Sequence, residues 1–136
     1  MLARLATCVC GRLTASCSGD PAHVSLCHCL ACQRRTGSTY GIAAFHPREN
    51  VRMAGDATAY TRQSDSGYPV TFYFCPHCGS TVYWEPRRKP EMVAVAWAPS
   101  LIRRFRRPLK PSMPNTGMDG FRTCQQVSGV IALRLR

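Results

Sequence analysis

The chain has 136 residues, of which 45% are hydrophobic, and a formal net charge of +11. This length suits one domain with a real hydrophobic core. No apolar run approaches the roughly 18 residues that a membrane helix needs, and the first residues are too short in their apolar part for a secretory signal. We therefore expect a cytoplasmic protein without membrane contact.

The positive charge is unevenly distributed. Residues 1–99 carry ten Lys or Arg against six Asp or Glu, a balance of +4, whereas residues 100–136 carry eight against one, a balance of +7. A nucleic-acid binder would combine such a basic excess with interleaved aromatic side chains, and the tail offers only Phe105 and Phe121. We rank nucleic acid last among the candidate partners.

Short alternating or β-branched segments, bounded by turn-forming residues, predict strands throughout residues 1–99. The predicted strands lie at 12–17, 23–27, 39–45, 57–61, 70–74, 81–84 and 92–97. One brief helix is predicted over residues 30–35. These elements predict a mainly β single domain of small antiparallel sheets over residues 1–99. Residues 100–136, rich in Arg and Pro, form an atypical tail that we do not expect to pack regularly.

Seven of the nine cysteines fall into three tight clusters. A disulfide framework is typical of exported chains, and an odd number of cysteines would leave one thiol unpaired. Scattered core cysteines would not be grouped. The spacing therefore predicts metal binding, with zinc as the ion and these ligands: Cys8, Cys10, Cys27, Cys29, Cys32, Cys75 and Cys78.

The first and last clusters predict one closed site. Cys8 and Cys10 present two thiolates from one tight turn, Cys75 and Cys78 present two more, and a glycine follows each pair. Four cysteines complete a tetrahedral structural zinc site, which would add on the order of 10 kcal/mol of folding free energy. A thioredoxin-like redox pair is the alternative, but no βαβ pattern surrounds the last cluster.

The central cluster, Cys27, Cys29 and Cys32, supplies three thiolates and leaves a fourth zinc position open, which is typical of a catalytic or substrate-binding site. Cys17, Cys124 or His28 are alternative fourth ligands, of which His28 is disfavoured because it lies between two ligands. Three thiolates make zinc a poor Lewis acid for activating water, but an incoming thiol would bind as thiolate. This chemistry predicts a small thiol substrate.

The order C-x-C-G, then C-H-C-x-x-C-Q-R-R-T-G-S, then F-x-F-C-P-H-C-G-S resembles the glutathione-dependent formaldehyde-activating enzyme family, which includes the CENP-V proteins. The resemblance runs from about residue 6 to residue 97. It implies a β-tent fold, a structural zinc on the first and last clusters, and an activity-linked zinc on the central cluster. It also implies a carbon–sulfur lyase activity, with glutathione as co-substrate and S-(hydroxymethyl)glutathione as the adduct.

Arg34 and Arg35 follow the central cluster directly. As a hypothesis, they pair with glutathione carboxylates and offset the anionic centre. The alternative is that both belong to a solvated turn. A non-catalytic module that binds glutathione or a protein partner through the same scaffold is the alternative function, and the oligomeric state is left open.

The tail departs from the family pattern, which usually continues with an acidic-aromatic-proline segment and later a His near a Trp. One explanation is ordinary divergence. A sharper hypothesis is that the tail is translated in a shifted frame, since residues 108–122, re-read out of register with GC-rich codons of our choice, can give PEAVYAEHRHGWLP. Sequencing the gene tests this, and a neighbouring frame that encodes nothing family-like would end the idea.

Overall fold

The structure is a computed structural model, and it describes residues 4–96. The predictions for the tail, for Cys124 and for the shifted frame lie outside the described residues. So does residue 97, the predicted end of the last strand. No helix within residues 4–96 is both long and apolar enough to cross a membrane.

The described chain consists mostly of short strands connected by turns. The single α helix, α1, spans Leu30–Thr36, and a 3-10 turn spans Arg48–Asn50. The strands are β1 Arg4–Thr7, β2 Thr14–Cys17, β3 His23–Cys27, β4 Gly41–Pro47, β5 Val51–Ala54, β6 Thr58–Gln63, β7 Pro69–Phe74, β8 Thr81–Pro86 and β9 Met92–Ala96.

The strands form two antiparallel sheets, which confirms the mainly β prediction. The smaller sheet has the order β1-β2-β5, and the larger one has the order β3-β4-β9-β8-β7-β6. All seven predicted strands and the helix are present, and the described ends differ from the predicted ones by at most two residues. The sequence analysis missed β1 and β5, because neither of these four-residue strands lies within a longer alternating or β-branched segment, as the equally short β2 does within 12–17.

The main core is built from both sheets. Ala6 and Ala15 of the smaller sheet belong to the same buried cluster as Tyr83, Val93 and Val95 of the larger one. Since side chains alternate along a strand, Ala94 faces the opposite side of the larger sheet, where it joins a second cluster with Phe72 and Trp84. One face of the larger sheet therefore packs on the smaller sheet, and the other face is left for the cleft described below.

We expect Val93→Ala to lower the free energy of unfolding by roughly 1–3 kcal/mol, because it removes two methyl groups from a fully buried side chain. Val24→Ala, made on a side chain that is 44% exposed, is the matched control and should change it by less than about 0.5 kcal/mol. Urea denaturation at one fixed zinc concentration measures both. Equal losses in the two variants would contradict the assignment of Val93 to the core.

Candidate metal centres and substrate cleft

Four cysteine sulfurs converge where two hairpin turns meet. Cys8 and Cys10 follow β1, Cys75 and Cys78 follow β7, and their sulfurs all lie within 4.8 Å of one another. The Cys8–Cys10 and Cys10–Cys75 sulfur distances are 3.5 and 3.6 Å. These distances far exceed a disulfide bond of about 2.05 Å but suit tetrahedral zinc, whose bonds of about 2.3 Å set sulfurs about 3.8 Å apart. The four-cysteine group can therefore hold a metal ion.

In each turn that carries these thiols, the glycine that follows the cysteine pair has a positive φ angle. Gly11 and Gly79 have φ angles of 77° and 73°, in the region that glycine adopts without steric cost. Their backbone N–H groups donate to the carbonyl oxygens of Cys8 and Cys75, at 3.0 and 2.8 Å. The Leu13 N–H donates to the Cys8 sulfur at 3.2 Å. The backbone of these turns thus helps to orient the sulfurs.

The thiols of this group differ in pKa. Hydrogen bonds from the Ser80 side chain and backbone lower the pKa of Cys78 to about 5. A hydrogen bond from the Arg12 backbone lowers the pKa of Cys10, but desolvation and the neighbouring thiols outweigh it and raise this pKa to about 11. A cation that attracts all four thiolates would release the remaining protons.

The three-cysteine group lies where β3 leads into α1. Cys27 ends β3, Cys29 is the N-cap residue of α1, and Cys32 lies in its first turn. Their sulfurs also lie within 4.8 Å of one another. The Cys32 N–H donates to the Cys29 sulfur at 3.4 Å and lowers the pKa of Cys29. Burial, followed by the two neighbouring thiols, raises the pKa of Cys32 to about 12.

Within residues 4–96 no fourth ligand joins these three sulfurs. His28 is not part of the group, and its Nδ1 atom lies 3.3 Å from the Thr39 carbonyl oxygen. Cys17 is buried in the main core, and Cys124 lies outside the described residues. An ion held here by the described thiols would therefore keep a position for a further ligand.

A cleft of about 590 Å³ opens beside this group, with Cys27 and Cys32 among its lining residues. Its floor is the free face of the larger sheet, where strand register aligns His23 with Phe45 and Trp84 with Phe72. The His23 and Phe45 rings stack with centroids 4.4 Å apart, and the Phe72 and Trp84 centroids are 5.7 Å apart. The floor is therefore largely aromatic.

Arg35 lies over this floor. Its guanidinium carbon is 4.6 Å from the Trp84 ring centroid and 5.3 Å from that of Phe72, as in cation–π contacts. Its buried Nε atom has no hydrogen-bond acceptor among residues 4–96. A Cβ atom at position 41 would lie 2.9 Å from Arg35 Nη2. Because Gly41 has no side chain, there is room for the guanidinium at this place.

The charges that line the cleft are positive. Its described lining includes Arg35, Arg62, Arg88 and Lys89 and no carboxylate. Arg34 is exposed on α1 and is not among these lining residues, so its pairing with substrate stays a prediction. Because four cations face the cleft without an acidic residue in its described lining, an anionic ligand suits it.

The sequence analysis identified both cysteine groups and Arg35 but missed the other cleft residues. Phe72 belongs to the F-x-F-C motif and Trp84 to a predicted strand, yet neither pattern indicates a cleft floor. Gly41 and Arg62 carry no local signal. Gly41 joins the site through the pairing of β4 with the preceding strand β3, whereas Arg62 joins it through the order of strands in the larger sheet.

Comparison with known proteins places the chain in a family and shows a solved structure of similar fold. The profile of the family described as glutathione-dependent formaldehyde-activating enzyme matches residues 3–115, which include both cysteine groups and the cleft. The chain belongs to this family. The crystal structure of a Rhodobacter sphaeroides protein is similar in fold, with a TM-score of 0.56 at 24% sequence identity over 70% of this chain and 85% of that one. Glutathione-dependent formaldehyde activation is the activity that this family suggests.

We expect Cys75→Ala to remove one metal ion per chain, because it takes one ligand from a closed four-thiolate site. The lost binding free energy is on the order of 10 kcal/mol, so the variant should unfold far more readily. Cys17→Ala is the matched control, since Cys17 is as buried as Cys75 but lies in neither group; it should keep the metal and cost roughly 1 kcal/mol. Elemental analysis and thermal unfolding measure the two effects. Equal metal content in the two variants would contradict the four-cysteine site.

Proposed function

We propose that this protein is a zinc-dependent enzyme of the carbon–sulfur lyase type that joins glutathione to formaldehyde as S-(hydroxymethyl)glutathione. The supporting observation is that two members of the three-cysteine group, Cys27 and Cys32, line a cleft whose described charges are all positive. Two zinc ions per chain are proposed, one structural on the four-cysteine group and one on Cys27, Cys29 and Cys32.

The donor chemistry of both groups favours zinc. Soft thiolate ligands select zinc over the hard cations that prefer oxygen. Zinc on the three-cysteine group would supply a fourth position for the substrate thiol and stabilise its thiolate form. The three protein thiolates would leave that centre anionic, and the nearby Arg35 guanidinium offsets this charge.

The chain's own residues bind and orient the substrate. Arg35 offers a planar guanidinium, already held by two aromatic rings, to one glutathione carboxylate. Phe72 and Trp84 are 6% and 8% exposed and keep water from the floor beneath the substrate. Because the thiol is held in place, its reaction with formaldehyde becomes effectively intramolecular.

The reaction balances without an oxidant or reductant. The sulfur forms a bond to the formaldehyde carbon, the carbonyl π bond breaks, and the proton lost by the thiol ends on the resulting hydroxyl oxygen. In the lyase direction the carbon–sulfur bond breaks and the same proton returns to sulfur. Holding the thiol as a thiolate lowers the barrier to attack in the forward direction.

We expect Cys29→Ala to abolish the protein-dependent part of adduct formation and to lower the metal content from two ions to one, because it removes a ligand from the three-cysteine group. Exchange spectroscopy by NMR on a mixture of glutathione and formaldehyde measures the rate above the uncatalysed background. Cys17→Ala, which changes a thiol outside both groups, should retain the rate.

A two-zinc wild-type protein that binds glutathione but adds nothing to the background rate would contradict the enzyme assignment. That result would instead favour a non-catalytic glutathione-binding module. Undiminished turnover in Cys29→Ala would place the chemistry away from this group.

A further inference from the structure

A second guanidinium reaches the cleft from the far edge of the larger sheet. Arg62 lies on β6, and four strands separate β6 from β3, the edge strand that ends at Cys27. The Arg62 guanidinium carbon is 5.5 Å from the Phe72 ring centroid. Its Nη1 atom donates to the Gln63 carbonyl oxygen at 2.9 Å. Arg62 is therefore held in place on two sides.

Arg35 approaches the same ring from the side of the three-cysteine group. A Cβ atom at position 41 would be 2.9 Å from Arg35 Nη2 and 3.5 Å from Cys32 Cβ, which places this guanidinium close to the metal ligands. Two guanidinium groups therefore lie beside the Phe72 ring, one from α1 and one from β6. The central carbon of each is within 5.5 Å of the ring centroid.

Neither guanidinium is neutralised within the described residues. The ion pairs found in residues 4–96 join Arg4 to Asp20 and Arg48 to Glu85, and neither involves the cleft cations. Two like charges beside one ring repel each other, and a bound anion would relieve this repulsion. The unpaired Nε of Arg35 is an additional donor for such an anion.

We propose that Arg62 binds the substrate carboxylate that lies farther from the sulfur, while Arg35 binds the nearer one. This inference rests on the proposed function, because it takes the substrate thiol to be held at the three-cysteine group. In glutathione, more covalent bonds separate the sulfur from the carboxylate of the γ-linked glutamyl residue than from the glycyl carboxylate. Arg62 then selects γ-glutamyl thiols over shorter ones.

Arg62 suits this role better than the other cations of the cleft. Arg88 and Lys89 are exposed, whereas Arg62 is partly buried and stacked on Phe72. A side chain that is already ordered loses less entropy when it binds a ligand. Water and salt also screen an exposed cation more strongly than a partly buried one.

The test is a calorimetric titration of two thiols into the full-length, zinc-loaded protein. Glutathione carries both carboxylates, and N-acetylcysteinylglycine keeps the thiol and the glycyl carboxylate but lacks the γ-glutamyl one. We expect Arg62→Gln to weaken glutathione binding by about ten- to hundredfold, the loss typical of a charge-assisted hydrogen bond. Binding of N-acetylcysteinylglycine should change by less than about twofold, because that thiol leaves Arg62 without a partner.

Two further variants separate this effect from charge and folding. Arg52→Gln removes the same charge from an exposed position on β5 of the other sheet and should change neither affinity. Arg62→Lys keeps the charge without the planar fork and should keep part of the preference for glutathione. Zinc content and melting temperature show whether each variant is folded. If Arg62→Gln is not folded, the same two titrations are made with Arg62→Lys.

The outcomes distinguish the two proposals. Equal weakening of both thiols by Arg62→Gln, or unchanged glutathione binding, would overturn the role of Arg62 and leave the proposed function standing. A two-zinc wild-type protein that binds neither thiol would overturn the proposed function, and the role of Arg62 with it.

Discussion

The convergence of four cysteine sulfurs to within 4.8 Å of one another is the constraint on which the rest of the structure depends. Two of the sulfurs belong to the turn after β1 in the smaller sheet, and two to the turn after β7 in the larger sheet. Cys8 and Cys75 are at the same time members of the main buried core. Metal ligation and hydrophobic packing would therefore hold the same two sheets together at the same place.

With one face of the larger sheet committed to that core, the opposite face becomes the cleft floor. Antiparallel register sets Phe45, Ala94, Trp84 and Phe72 side by side across four strands. An aromatic row of this kind supports Arg35 by cation–π contact without neutralising it. The resulting cleft combines an apolar floor with positive charge that has no ion-pair partner among residues 4–96, an arrangement suited to an anionic ligand.

The two cysteine groups differ in a way that suits different roles. The four-cysteine group is closed, lies at the meeting of the sheets and includes two buried thiols. The three-cysteine group lies beside the cleft and has no fourth ligand within residues 4–96. The structural role that we propose for the first group and the substrate-binding role that we propose for the second are thus assigned to separate turns.

The sequence alone determined the mainly β class, the three local clusters into which seven cysteines fall, and the placement of α1 over the end of the central cluster. These features are local: a turn with two thiols, a glycine with positive φ, or an alternating strand is encoded within a few adjacent residues. The tertiary structure alone decided that Arg62, Phe72 and Trp84 share one cleft with Cys32. Their positions depend on strand order and register, which arise from packing between segments far apart in the chain, and no single segment carries that information.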